Sequence, residues 1–177
     1  KSFKSHVEAI NVGDGLDSKS TMGPLVADRR LEVMEDFISD AISSGGEVIS
    51  GGGRGQSPGS FFEPTLIRDV PDTAKIMIEE PFGPVAPSAS FSSIDEIIER
   101  ANSLPFGLAS YAFTSNPRTS QILKSEIESG MLAVNSMHIH SVETPFGGLK
   151  HSGYGYEGSI EGLEAFLVTK YSSEIYT

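Results

Sequence analysis

Gly107-Leu108-Ala109-Ser110-Tyr111-Ala112-Phe113-Thr114, Asn116-Pro117 and Gly130-Met131-Leu132-Ala133-Val134-Asn135 decide the fold class. The first run is apolar and β-prone, and reads as a strand. Asn116 supplies an N-cap and Pro117 a residue preset for the first helical position, so a helix is predicted from there to about Glu128. Gly130 to Asn135 reads as a second, buried strand that ends on a polar residue. Repeated strand–helix–strand order makes crossovers and a mostly parallel sheet with helices on both faces. The expected class is therefore α/β, as a three-layer α/β/α arrangement.

Upstream, Ser93-Ile94-Asp95-Glu96 is a capping box that opens a helix from Ile94 to about Asn102, with Ile97 and Ile98 turned inward. A stronger helix is predicted over 27–43, because Leu31, Met34, Phe37, Ile38, Ala41 and Ile42 recur at three- and four-residue spacings. Gly45-Gly46 stops it, and Glu47–Ser50 follows as a short strand. Phe61–Ile67, Ala74–Ile78 and Val85–Phe91 are further strand candidates. Gly51–Gly59 invites a phosphate-loop reading, but it lacks the Gly-Lys-Ser/Thr ending and a following helix, which favours a hairpin-like loop. Residues 1–10 resemble a helix without a start signal, so this stretch is expected to continue a longer polypeptide.

Residues 145–177 differ in character. Pro145 to Gly155 is glycine-rich and aperiodic, which predicts a structured loop. Ala165–Tyr171 reads as a strand with no partner nearby in sequence, expected to join a sheet of another domain or another subunit. The expected division is thus 1–144 and 145–177, the second part bridging outward.

The chain has 177 residues, 38% hydrophobic and 21% charged, which suits one globular domain. No run approaches the roughly 18 apolar residues of a membrane span. The first residues lack the apolar core of a signal peptide, and a cytoplasmic location is expected. A formal net charge of −11 argues against a nucleic-acid partner, which needs a basic face. With no cysteine, the chain holds no disulfide, no thiolate metal site and no thiol nucleophile. Nor is there a Gly-x-Ser-x-Gly elbow for a serine hydrolase.

Two places carry candidate chemistry. In Glu79-Glu80-Pro81-Phe82-Gly83-Pro84-Val85, prolines fix φ at two positions, and the glycine permits a conformation that other residues avoid. A stiffened carboxylate beside a stiffened ring suits a flat-ringed, polar-edged ligand such as a nucleoside. A rigid surface turn with a solvated acid pair is the plainer alternative. The second place is Asn135, at a strand end where ligands gather in such sheets; a turn-capping amide is its alternative. It leads into His138-Ile139-His140, where alternation on a strand would allow a metal pair, although a pocket-lining or exposed imidazole fits the spacing better.

Taken in order, these segments resemble the C-terminal part of the aldehyde dehydrogenase catalytic domain. The match runs through Gly13-Asp14-Gly15, Met22-Gly23-Pro24-Leu25, Phe62-Glu63-Pro64-Thr65-Leu66, Glu79 to Val85, Asn102 to Ser110, Gly130 to Asn135 and Pro145 to Gly153. The resemblance implies oxidation of an aldehyde to an acid with NAD or NADP. It implies a cysteine nucleophile and a glutamate base, both upstream of this chain, so the isolated chain is expected to be inactive. It implies that Glu80 accepts from the nicotinamide-ribose hydroxyls, that Phe82 packs at that end of the cofactor, and that Asn135 and the loop to Thr144 line the aldehyde pocket. The Ser-Val-Glu-Thr-Pro-Phe-Gly-Gly run (141–148) and the 152–158 ending are similar to the succinate-semialdehyde and bacterial semialdehyde branches. His140 would then donate to a distal carboxylate of a small aldehyde. A homo-oligomer, dimer or tetramer, is implied. A non-catalytic ligand-binding or assembly module on the same fold is the alternative.

Overall fold

The computed structural model describes residues 2–176, which gather into two compact units, Lys1–Ser90 and Phe91–Thr177.

The first unit is built on α2 (Arg29–Ser43), preceded by α1 (Ser2–Glu8). Leu31, Met34, Phe37, Ile38 and Ala41 are all buried, as their helical spacing predicts. They pack with Phe62, Ile67, Val70, Ala74, Ile76 and Val85 into one apolar core. The helix ends as its glycines require. Gly45 takes φ 106°, its amide donates to Ile42 O at 3.0 Å, and that of Gly46 donates to Ala41 O at 2.8 Å. This 5→2 and 6→1 pair is a Schellman ending.

A three-stranded sheet lies in order β1 (Glu47–Ser50), β2 (Thr65–Arg68), β3 (Val85–Pro87), the first pair antiparallel and the second parallel. Between β1 and β2 the glycine-rich loop closes as a hairpin: Gly55 N–H donates to Phe61 O, and Glu63 N–H to Gly53 O. The buried Thr65 hydroxyl secures its base, accepting from Gly52 N–H at 2.9 Å and donating to Glu63 O at 2.8 Å.

Several strand expectations are corrected here. Lys75–Ile78, expected as strand, is a helical turn, α3. The Asp40 carboxylate of α2 accepts the Lys75 N–H at 2.6 Å, a tertiary cap that a four-residue apolar run cannot reveal. β2 starts only at Thr65, after Pro64, and Phe62 makes an isolated bridge to Arg54. β3 stops at Pro87, which has no amide to give.

The second unit contains α4 (Ile94–Asn102), β4 (Phe106–Gly107), β5 (Ala109–Ala112), α5 (Pro117–Glu126), β6 (Met131–Val134), β7 (Leu149–Lys150) and α6 (Ser159–Glu164). The β5–α5–β6 crossover is as predicted: β5 and β6 are parallel, with Ala109 opposite Met131 and Ala112 opposite Val134. Asn116 caps α5 by accepting from the Arg118 and Thr119 amides. Ser93 caps α4 by accepting from Glu96 N–H, but Glu96 replies to Ser92 rather than to Ser93. β4 and β7 form an antiparallel pair.

The chain is α/β, with strands and helices interleaved throughout. In place of one mostly parallel sheet, the described residues form three small sheets whose four pairings are half parallel and half antiparallel. Residues 167–176 form no strand within the chain, and Phe166, Val168 and Tyr171 are exposed. The two units divide between Ser90 and Phe91, and 144/145 lies within the second of them.

Candidate functional site

Glu80 and Phe82 sit on one turn between α3 and β3, in the first unit. Glu80 is exposed, and its carboxylate makes no hydrogen bond or ion pair among the described residues. Phe82 is 74% exposed. The left-handed conformation expected of Gly83 falls instead on Phe82, at φ 44°. Gly83 is needed for close approach: a Cβ there would lie 2.2 Å from the sulfur of the buried Met34. The turn is fastened to the sheet by Thr65 N–H to Pro84 O at 2.7 Å, and closed by Val85 N–H to Gly83 O at 2.9 Å. Arg30 of α2 donates from Nη2 to Pro81 O. Sequence reasoning missed Arg30, although it precedes Met34 by four residues and so lies on the same helix face.

An uncommitted carboxylate with two acceptor oxygens, beside an aromatic face held out of the core, fits a ribose diol carrying a flat ring. The residues present therefore suit the ribose end of a nucleoside or dinucleotide. A cavity of about 500 Å³ in the same unit is lined by Val7, Ile10, Phe61 and Glu63, with neither Glu80 nor Phe82 in its wall.

Asn135 and His140 lie in the second unit, on the segment leaving β6. Asn135 takes φ 57°, and its side-chain amide pairs with the Thr114 peptide: Oδ1 accepts from the N–H and Nδ2 donates to the oxygen, both at 2.8 Å. The amide thus extends the β5–β6 ladder by one side-chain rung, and Asn135 N–H adds a bond to Ala112 O. This is the turn-capping geometry.

The exposed His140 ring stands edge-on to Phe146, with centroids 5.3 Å apart at 84°. Phe146 and Glu157 exchange two backbone bonds of 2.8 Å, and Ser159 N–H donates to Val142 O, so the loop bearing His140 is braced by residues 157–159. Its tip is a Ser141–Thr144 turn. The Ser141 hydroxyl holds the Glu143 carboxyl below its ordinary value. Among the described residues no three His, Cys, Asp or Glu side chains come together as a metal site.

A family model described as the aldehyde dehydrogenase family matches residues 1–172. The chain belongs to the aldehyde dehydrogenase family. It is 42% identical to a probable succinate-semialdehyde dehydrogenase [NADP(+)] of Sinorhizobium fredii, over 96% of this chain and 34% of that protein. It is 41% identical to a 3-sulfolactaldehyde dehydrogenase of Pseudomonas putida, over 92% of this chain and 33% of that protein. The solved succinate-semialdehyde dehydrogenase of Burkholderia pseudomallei superimposes with a TM-score of 0.92 at 35% identity, covering 94% of this chain and 35% of that one. The chain spans about a third of the length of the curated aldehyde dehydrogenases it matches.

Proposed function

We propose that this chain is the C-terminal part of the catalytic domain of an NAD- or NADP-dependent aldehyde dehydrogenase, with 145–177 as its outward-bridging segment. When bound, the dinucleotide supplies the hydride acceptor for aldehyde oxidation. Glu80 accepts from the nicotinamide-ribose hydroxyls, and a carboxylate meeting two donors is a strong, directional pairing. Phe82 covers that end of the cofactor and narrows the orientations open to it. The observation that carries this reading is the turn itself: an unpaired carboxylate beside an exposed aromatic ring, on a backbone held in a left-handed conformation. With no cysteine in these residues, the nucleophile must come from outside them.

The substrate is a small aldehyde with a distal anionic group. Supporting this, the two relatives named above act, by name, on a carboxylate-bearing and a sulfonate-bearing aldehyde. His140 is the donor to that anion. Asn135, expected to line the pocket, serves it by fixing the start of the His140 loop, since its amide oxygen and one amide hydrogen are held by the Thr114 peptide. The enzyme acts in the cytoplasm as a homo-oligomer, in which the exposed Phe166–Tyr171 segment pairs as a strand with another domain or subunit and completes the layered sheet.

The decisive experiment is single-turnover hydride transfer in the full-length protein, followed by NAD(P)H absorbance. Glu80→Gln is expected to slow the step about ten-fold, the equivalent of one weakened charge-assisted hydrogen bond. An unchanged rate would remove Glu80 from the site.

A further inference from the structure

The Glu80–Phe82 turn is gripped from one face of α2 at two points. Arg30 and Met34 are one helical turn apart and share that face. Arg30 Nη2 bonds the carbonyl of Pro81, in the peptide that joins it to Phe82, while Met34 blocks any side chain at position 83. Between these anchors Phe82 keeps its φ of 44°. The same guanidinium leaves its Nε–H buried and without an acceptor among the described residues. A buried donor with no partner lowers stability, so an arginine kept in that state is better explained by where it holds its other nitrogen. Sequence pattern points the same way, since an apolar residue would continue the Met34 face without this cost.

We propose that Arg30 is a positioning residue for the cofactor turn: it fixes the Pro81 peptide, and through it the direction in which the Glu80 carboxylate and the Phe82 ring are presented. The link to cofactor rests on the proposed roles of Glu80 and Phe82; the link to the turn does not. The test uses the full-length protein with Arg30→Met, which keeps an apolar stem, and Arg30→Lys, which keeps a cationic donor. Amide hydrogen exchange without cofactor reads the turn directly, because the Glu79 and Val85 amides are bonded to Lys75 O and Gly83 O. In Arg30→Met their exchange should quicken about ten-fold, with α2 residues 31–43 unchanged and Arg30→Lys largely restored. Cofactor titration should show about a ten-fold weaker complex for Arg30→Met, and in the double variant with Glu80→Gln the added loss should be smaller than this, only the Phe82 contribution remaining to be lost.

Unchanged exchange at Glu79 and Val85, or acceleration spread equally over α2 and the sheet, would overturn the proposal. So would affinity losses that simply add. If Glu80→Gln itself leaves affinity unchanged, the cofactor reading fails, and the exchange comparison still decides whether Arg30 positions the turn. Should Arg30→Met not fold, Arg30→Gln carries the same comparison.

Discussion

Two amphipathic helices, α2 in the first unit and α4 in the second, follow the same spacing rule and meet different fates. α2 buries five residues in a core shared with Phe62, Ile67 and Val85. α4 buries none, and its Ile94, Ile97 and Ile98 are only half covered. Beyond residue 90, the buried apolar residues are Leu123, Met131 and Ala133 alone among the described residues. The second unit relies instead on polar staples. Asn102 accepts from Glu128 N–H at 2.9 Å and donates to Glu126 O at 2.7 Å; Ser152 accepts from Gly107 N–H at 2.9 Å. Lys150, with φ 56°, donates to the Asn102 and Leu104 carbonyls and pairs with Glu128. Apolar periodicity says which face a helix offers; how deeply that face is buried depends on what covers it.

The comparison can be broken most forcefully in the first unit. Phe62 is 1% exposed and central to that core. Phe62→Ala should cost about 3–5 kcal/mol, since the cavity cannot fully collapse among side chains this closely packed. Chemical unfolding of the full-length protein checks it. A loss under about 1 kcal/mol would mean that the first unit is not held by its apolar core.

In the second unit the same logic sharpens around Lys150→Met, which keeps the apolar stem and removes the charge. Were burial the main support there, the change would be nearly neutral. With two carbonyls and Glu128 left unanswered, a loss of about 2 kcal/mol is expected in the same unfolding measurement. Glu128→Gln, which spares the carbonyl bonds, should cost less.

Sequence reading succeeded where local chemistry decides the outcome. The α2 face, its glycine ending and the Ser93 and Asn116 caps depend on residues within a few positions of one another, and the parallel β5–β6 pair follows from the unbroken strand–helix–strand order between them. It failed where a distant group intervened. Asp40 caps Lys75–Ile78 as helix from 35 positions away, and at the turn the left-handed conformation falls on Phe82, while Gly83 is needed for close approach to Met34. At the candidate site, the order of motifs identified the family and singled out Glu80 and Phe82. The commitment of Asn135 to Thr114 and of His140 to Phe146 needed coordinates, because their partners lie 21 residues upstream and on the far limb of the loop. The Ala165–Tyr171 segment is strand-like in composition, but a strand exists only with a partner to bond, and none is offered within the described chain.

The subtlest difference between the units is their response to acid. Glu96 accepts from the Ser92 hydroxyl at 2.6 Å and from its amide at 2.8 Å, and stands beside Arg100. The Ser92 hydroxyl first, then its amide, holds the Glu96 carboxyl below its ordinary value. A carboxyl whose ionisation is favoured in the folded state adds stability above its unfolded-state pKa, and that stability is lost as pH falls through the folded value. With so little of α4 buried, its start depends on this cap. Glu35 on α2 is likewise held low by Arg54, but there the helix is anchored by five buried residues, so protonation leaves it in place. Comparing urea midpoints of the wild type and Glu96→Gln from about pH 6 downward isolates the effect. The wild type should be the more stable near neutrality, and the gap should close as pH drops below the usual carboxylate range of about 4. A gap that stays constant with pH would mean that the charge on Glu96 does not support α4, leaving the Ser93 N-cap to carry that end of the helix alone.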